Sequence, residues 1–223
     1  MTELVIFDCD GTLVDSEIFW ARHERDLIHE YGLNISLADM QRLASGKHFK
    51  DWRADTESLI GGPLPDDFGT RCIARVVQAL EDGVANVPLL EGAAEMLAAI
   101  RLPRCIASNS PRDYLANILR GAGLLDIFDQ KHIFSAHDVA HPKPAPDVFL
   151  HASRQMGHAP AACLVVEDSV AGVQAARAAG MQVWGVTCAY PDIRDSHAQR
   201  LRAAGAHVVL NHLSEIPGRL EPL

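Results

Sequence analysis

The stretch "LVIFDCDGTLVDSE" (residues 4–17) decides how this chain is read. Four apolar residues, Leu4 to Phe7, run without a break and end abruptly in Asp8, with a second carboxylate at Asp10. A compact apolar run bounded by turn residues fits a strand buried on both faces, as in a parallel sheet. Two acids one residue apart are a burden at such a strand end, because like charges held close resist ionising together. The burden is tolerable where a cation sits among them.

Outward from this strand the pattern repeats. From residue 88 onward, "RCIAS" (104–108), "CLVVE" (163–167) and "QVWGVT" (182–187) read as buried strands, with weaker candidates in "HIFS" (132–135) and "HVVL" (207–210). Helical patterns at 92–101, 112–123, 145–157 and 169–180 separate them, with Gly123, Gly157 and Gly180 where C-terminal caps fall. Strand alternating with helix predicts an α/β fold, a Rossmann-like parallel sheet covered on both faces. Residues 15–87 differ: four helical patterns, punctuated by Gly32, Gly46, Gly61, Gly62, Pro63, Pro65 and Gly83, and no strand run. The reading is a core of residues 1–14 and 88–223 with an inserted all-helical cap at 15–87.

In an open parallel sheet, ligands bind beyond the carboxyl ends of the strands. Those ends carry Asp8 and Asp10, then Ser108, Asn109 and Ser110, then Lys143 in "HPKPAPD", then Glu167 and Asp168. Carboxylates gathered around a divalent cation favour Mg²⁺, which prefers hard oxygen ligands. A cation, a lysine and small hydrogen-bonding groups together make a receptor for a phosphoryl group. A carboxylate facing the phosphorus can attack it, and a second can move protons to the leaving oxygen and from water.

The motifs "DCDGT" (8–12), "SNS" (108–110), "KPAPD" (143–147) and "EDS" (167–169) resemble, in order, the four motifs of the haloacid dehalogenase-like hydrolase superfamily. The likeness runs over essentially the whole chain and is nearest the sugar-phosphatase and β-phosphoglucomutase-like branch with a small helical cap. Bacterial 6-phosphogluconate phosphatases are a particularly near likeness. The resemblance implies Asp8 as nucleophile and Mg²⁺ ligand, and Asp10 as general acid/base whose main-chain carbonyl also binds metal. It implies Ser108 and Asn109 on phosphoryl oxygens and Lys143 neutralising phosphate and Asp8. Asp168 is implied as a direct Mg²⁺ ligand, with Glu167 beside the metal or one layer behind. A cis peptide bond after Lys143 is often found in this family.

Composition narrows the partners. Twenty Lys and Arg face 29 Asp and Glu, a net charge of −9, which argues against nucleic acid as the main partner. A small anionic substrate is not excluded, since a metal or a few cations reverse the sign inside one pocket. The five cysteines form no CxxC pair and read as small buried hydrophobes in a reducing compartment. Residues 1–20 show no signal-peptide pattern and no apolar stretch reaches membrane-spanning length, so a cytoplasmic protein with no membrane partner is expected. A monomer or weak homodimer is expected.

Asp10 argues for phosphate esters over a dehalogenase, which needs no acid two residues after its nucleophile. The function read here is a Mg²⁺-dependent phosphatase of small phosphorylated metabolites, a sugar phosphate or a sugar-acid phosphate such as 6-phosphogluconate. Alternatives are a phosphomutase and a phosphoglycolate phosphatase. Mutases of the branch carry a histidine early in the first cap helix, where this chain has Trp20, with His23 one turn on. From another class, a phosphate-binding module without turnover is set aside, since every residue the chemistry needs is present. The cap loop "SGKHFKDW" (45–52) is where selectivity is expected, with Lys47 as a substrate contact and Lys50 beside it, although both lysines also suit solvent. His132, His137 and His141 read as solvated rather than zinc-binding. Ser110 and Ser169 suit helix N-caps, Ser169 the better of the two.

Overall fold

The computed structural model describes residues 1–44, 49–82 and 86–220. β1 (Leu4–Phe7) is followed by four helices in a row, α1 (Ser16–His29), α2 (Leu37–Ala44), α3 (Phe49–Ile60) and α4 (Phe68–Glu81), and then by α5 (Ala93–Ala99). Strand and helix alternate from there: β2 (Arg104–Ser108), α6 (Arg112–Gly121), β3 (Ile133–Ser135), α7 (Asp147–Gln155), β4 (Cys163–Glu167), α8 (Val170–Ala178), β5 (Gln182–Val186), α9 (Arg194–Ala203), β6 (Val208–Leu210) and α10 (Ile216–Leu220). The chain divides into two compact units, Met1–Asp15 with Leu89–Leu223, and Ser16–Pro88.

The first unit is the α/β fold read from the sequence. Its six strands are parallel and lie in the order β3-β2-β1-β4-β5-β6. β1 is central, and all four of its residues are fully buried, each contributing about 1.5–3 kcal/mol of transfer free energy. From β1 the chain lays strands down in one direction to β3 and then in the other to β6. The crevice where that order reverses, at the carboxyl ends of β1 and β4, is where a sheet of this kind takes a ligand. β2 and β4 begin and end at the residues their apolar runs predict. β3 and β6, weak in sequence, are three-residue strands at the two sheet edges, where short strands limit unwanted pairing.

The second unit is all-helical and has its own core of Ala21, Leu27, Ile28, Met40, Trp52, Leu64, Phe68 and Cys72. Trp52 packs on Phe68 at a ring-centroid distance of 5.8 Å, and Arg71 and Arg75 of α4 both pair with Glu30. Within the first unit, the stretches that lead to and from this insert run side by side. Val14 bridges antiparallel to Leu89, and the Leu90 N–H donates to the Leu13 carbonyl at 3.0 Å. No helix among the described residues is long and apolar enough to cross a membrane.

Candidate active site

Phe7 lies opposite Ile106 of β2 and Val166 of β4, and the Asp8 N–H donates to the Val166 carbonyl at 3.0 Å. Asp8 is therefore held by sheet pairing at the rim between β1 and β4. The chain then turns tightly, the Cys9 carbonyl accepting from the N–H groups of Leu13 and Val14 at 2.9 and 3.2 Å. Gly11 sits in this turn at φ +76°, and a Cβ there would stand 2.4 Å from Asp168 Oδ2. Glycine meets both demands, the left-handed backbone and the close approach. Cys9 is fully buried, its thiol raised well above its usual range by burial and by Asp10 and Asp8, so it is an inert spacer.

Lys143 reaches the same point from the segment between β3 and α7. Its Nζ donates to Asp8 Oδ1 at 2.6 Å and to Glu167 Oε1 at 2.8 Å, all three side chains being buried. The Phe149 ring of α7 lies 4.7 Å from that nitrogen, within cation–π range. Asn109 fixes the main chain beneath. Its Nδ2 donates to the Lys143 carbonyl at 3.2 Å, and its Oδ1 accepts the Lys143 N–H at 2.8 Å. The Lys143–Pro144 peptide bond is cis.

Burial is the largest influence on each of these charges. It pushes Asp8 up, further than the Lys143 ammonium draws it back, and with Glu167 and Asp10 nearby the carboxyl settles at about 7. It pushes Asp168 well above the usual carboxylate range, reinforced by Glu167 and Asp8 against hydroxyl bonds from Tyr190 and Thr12. It works against the Lys143 ammonium, but the attraction of Asp8 and Glu167 outweighs it and the net shift is upward. Asp8 and Glu167 share one ammonium and the buried Asp168 carboxyl adds a third acid, so the rim carries surplus negative charge when all are ionised.

The remaining acids are each held by specific donors. Glu167 is 1 % exposed and has both oxygens engaged, Oε1 by Lys143 and Oε2 by the Ser169 N–H at 2.6 Å. Asp168 accepts from Thr12 Oγ1 at 3.1 Å and from the Tyr190 hydroxyl at 2.8 Å. Its carbonyl lies 2.7 Å from His197 Nε2. A carbonyl only accepts, so Nε2 carries the proton and Nδ1 is left to accept from Arg200 at 3.3 Å. Burial lowers the His197 pKa, in keeping with this neutral ring. Asp10 accepts from Ser110 Oγ at 2.8 Å and from the Tyr114 hydroxyl at 3.0 Å. Ser110 is braced in turn, its carbonyl accepting from Ser135 Oγ at 2.7 Å and its N–H donating to Ser108 Oγ at 3.1 Å.

Asp8, Asp10, Ser108, Lys143, Glu167 and Asp168 thus stand at the carboxyl ends of β1, β2 and β4 and in the loop after β3. The Asn109 side-chain amide engages the Lys143 main chain, where a planar amide answers one N–H and one carbonyl together. Glu167, expected among or just behind the metal ligands, has its oxygens bonded to Lys143 and the Ser169 N–H. Lys47 and His48 lie outside the described residues, and Lys50 is exposed on α3. Ser169 caps α8, its Oγ accepting the Gly172 N–H, whereas Ser110 is no cap and serves Asp10 instead. Tyr114, Ser135, Tyr190 and His197 were not singled out from the sequence. Tyr190 could have been, since it lies just past the end of β5.

No three His, Cys, Asp or Glu side chains among the described residues converge as a metal cage of their own. What the rim offers a cation is two buried carboxylates, Asp8 and Asp168, with surplus negative charge. An all-oxygen set of this kind suits Mg²⁺, which binds through one or two carboxylates and keeps places for substrate phosphate.

Gly172 of α8 supplies a prediction. A Cβ there would fall 1.7 Å from Glu167 Oε1. Gly172→Ala is expected to expel the Glu167 carboxylate from Lys143, costing about 1–3 kcal/mol despite the better helix propensity of alanine. Urea unfolding checks this, and an unchanged midpoint would show that Glu167 has room to move.

The profile of the haloacid dehalogenase-like hydrolase family matches residues 2–180. The 6-phosphogluconate phosphatase of Escherichia coli K12 is 31 % identical over 216 residues, covering 96 % of this chain and 93 % of the relative. A fructose-1-phosphate phosphatase of the same strain is 32 % identical over 177 residues, covering 79 % of this chain and 92 % of the relative. The crystal structure of a hydrolase of the family from Deinococcus radiodurans R1, with bound phosphate and sodium, is 33 % identical and superposes with a TM-score of 0.79 over 100 % of this chain and 99 % of its own.

Proposed function

The chain belongs to the haloacid dehalogenase-like hydrolases and is a phosphatase, and we propose that it uses Mg²⁺ to hydrolyse sugar phosphates or sugar-acid phosphates such as 6-phosphogluconate. The observation that carries this reading is the placement of Asp8, a buried carboxylate at the end of the central strand with Lys143 Nζ at 2.6 Å and Asp10 two residues on. Relatives that act on 6-phosphogluconate and fructose 1-phosphate support the sugar-phosphate class.

In this proposal Oδ2 of Asp8 attacks the phosphorus while Lys143 holds Oδ1, and the bond from phosphorus to the leaving oxygen breaks. Asp10 gives its proton to that oxygen, leaving an aspartyl-phosphate on Asp8. Asp10, now ionised, takes a proton from water, whose oxygen attacks the phosphorus and frees Asp8 and inorganic phosphate. Ser108 donates its hydroxyl to a phosphoryl oxygen, since its own oxygen already accepts from Ser110. Asn109 and Glu167 hold Lys143 in place. Mg²⁺ bound by Asp8, Asp168 and the Asp10 carbonyl would supply positive charge to the phosphoryl oxygens.

The test is phosphate release from a panel of sugar phosphates, phosphoglycolate and nucleotides, with Mg²⁺ and with chelator. Turnover of sugar or sugar-acid phosphates only with Mg²⁺ is expected. Release from phosphoglycolate alone would move the substrate class, interconversion of sugar phosphates without release would make the chain a mutase, and no turnover at all would leave a binding module.

Metal affinity should depend on pH in a defined direction. Asp8 is raised from about 4 to about 7, so below 7 the metal-free carboxyl holds a proton that Mg²⁺ must displace. Affinity is expected to fall up to about tenfold per pH unit below 7, with protons released on binding. The same shift makes the metal-free fold more stable on the acid side and weaker as pH rises through 7. The gain in melting temperature on adding Mg²⁺ should therefore grow from pH 5 to pH 8. Calorimetry in two buffers of different ionisation enthalpy reads the protons, and an affinity independent of pH would contradict the assignment.

A further inference from the structure

We propose that Tyr114, together with Ser110, is a positioning residue that aims the Asp10 carboxyl at the leaving oxygen; this rests on the reading of Asp10 as the acid/base. The two hydroxyls take different oxygens of the same carboxyl, Tyr114 on Oδ1 at 3.0 Å and Ser110 on Oδ2 at 2.8 Å. With both oxygens engaged, rotation of the carboxyl plane is opposed from either side. Neither partner is loosely held. Ser110 is tied to β3 through Ser135 Oγ, and Tyr114 lies in the first turn of α6, which is anchored by the fully buried Leu115, Ile118 and Leu119. Asp10 itself is partly exposed, so water could satisfy it and burial alone does not require these bonds.

The kind of partner fits the task. A lysine or arginine at this place would favour the charged carboxylate alone. A hydroxyl donates to a carboxylate and accepts from a carboxylic acid by turning its O–H bond. Two hydroxyls can therefore keep one geometry through both halves of the reaction, when Asp10 is an acid and when it is a base. Two other acids at this rim, Asp8 and Glu167, are bound differently and share the Lys143 ammonium, whereas Asp168 also accepts from two hydroxyls.

The test uses a series of aryl phosphates from 2,4-dinitrophenyl through p-nitrophenyl to phenyl phosphate, read as kcat/KM. A poor leaving group needs the proton from Asp10 and a good one does not. Tyr114→Phe is expected to lower kcat/KM on phenyl phosphate by on the order of tenfold, part of the contribution of a placed general acid. The loss should shrink steadily toward 2,4-dinitrophenyl phosphate. Ser110→Ala should give the same slope, and Asp10→Asn a steeper one. Adding Tyr114→Phe to Asp10→Asn should then cost little more, because the group being aimed has lost its proton. A Tyr114→Phe loss equal on every ester, beside a sloped Asp10→Asn, would overturn the positioning role and leave the reading of Asp10 standing. A loss in Asp10→Asn that is itself equal on every ester would overturn the acid role and this inference with it.

Discussion

Asp8→Asn is expected to lower kcat/KM for any phosphate ester by at least about 10⁴-fold, the scale seen when a catalytic nucleophile is removed. The substitution is nearly isosteric, and Lys143 keeps its bond to Glu167 at 2.8 Å. Fold stability should survive, because the change removes one of the two carboxyls that compete for the Lys143 ammonium. The variant should therefore melt cooperatively and still bind the product, inorganic phosphate, in the presence of Mg²⁺. Chemistry and binding are thus separated in one protein. Phosphate release from p-nitrophenyl phosphate is the measurement, with mass spectrometry of acid-quenched wild-type enzyme to find the phosphoryl group on the peptide containing Asp8. Wild-type turnover by the variant would remove Asp8 from the mechanism.

Lys143→Met is the second large effect, and it falls on stability as well as rate. Methionine approximates the length of the lysine stem and keeps contact with Phe149, so the packing loss is small. What is lost is the charge between Asp8 and Glu167, and a buried ion left without its partner costs about 3–5 kcal/mol. The cost depends on pH in a direction that can be worked out. Lys143 draws Asp8 downward, so without it the carboxyl rises beyond about 7 and takes up a proton more readily. Below that pH the proton replaces the lysine, and the deficit relative to wild type should shrink from pH 8 to pH 5. Urea unfolding at the two pH values checks this, and equal deficits would mean the ammonium is not what holds these carboxyls. Turnover should be lost at both, by on the order of 10²–10³-fold for the missing charge alone.

The strands that position this chemistry were legible because they are buried on both faces. β1, β2 and β4 stand in the middle of the sheet, where nothing but apolar residues fits, and their ends are marked by the first polar residue. β3 and β6 border solvent, and their short runs carried a weaker mark. Asp8 and Glu167 were legible for the same reason, being the residues that end apolar runs, whereas Lys143 was marked by its place in the "HPKPAPD" loop. Tyr114 was not, because a tyrosine one turn into an amphipathic helix looks like any partly buried aromatic. Tyr190 and His197 reach Asp168 from a loop and from α9, a tertiary approach that no local spacing encodes. Asn109 was placed at the strand end, but its side-chain bonds to the Lys143 main chain were not foreseen. Position along a strand says which residues reach a rim, whereas the turn of a side-chain amide is decided by the neighbouring chain.

The side-by-side run of Leu13–Val14 and Leu89–Leu90 has a meaning for how such a molecule can change over generations. A segment whose two attachment points are neighbours can be lengthened, shortened or exchanged with little strain on its host. Asp8, Asp10, Tyr114, Lys143, Glu167 and Asp168 all belong to the host side of that junction. Residues 16–88 can therefore drift, or be replaced wholesale, while the reacting frame is inherited intact. One ancestral reaction can in this way be carried into many lineages, each free to rewrite the piece between the two stubs.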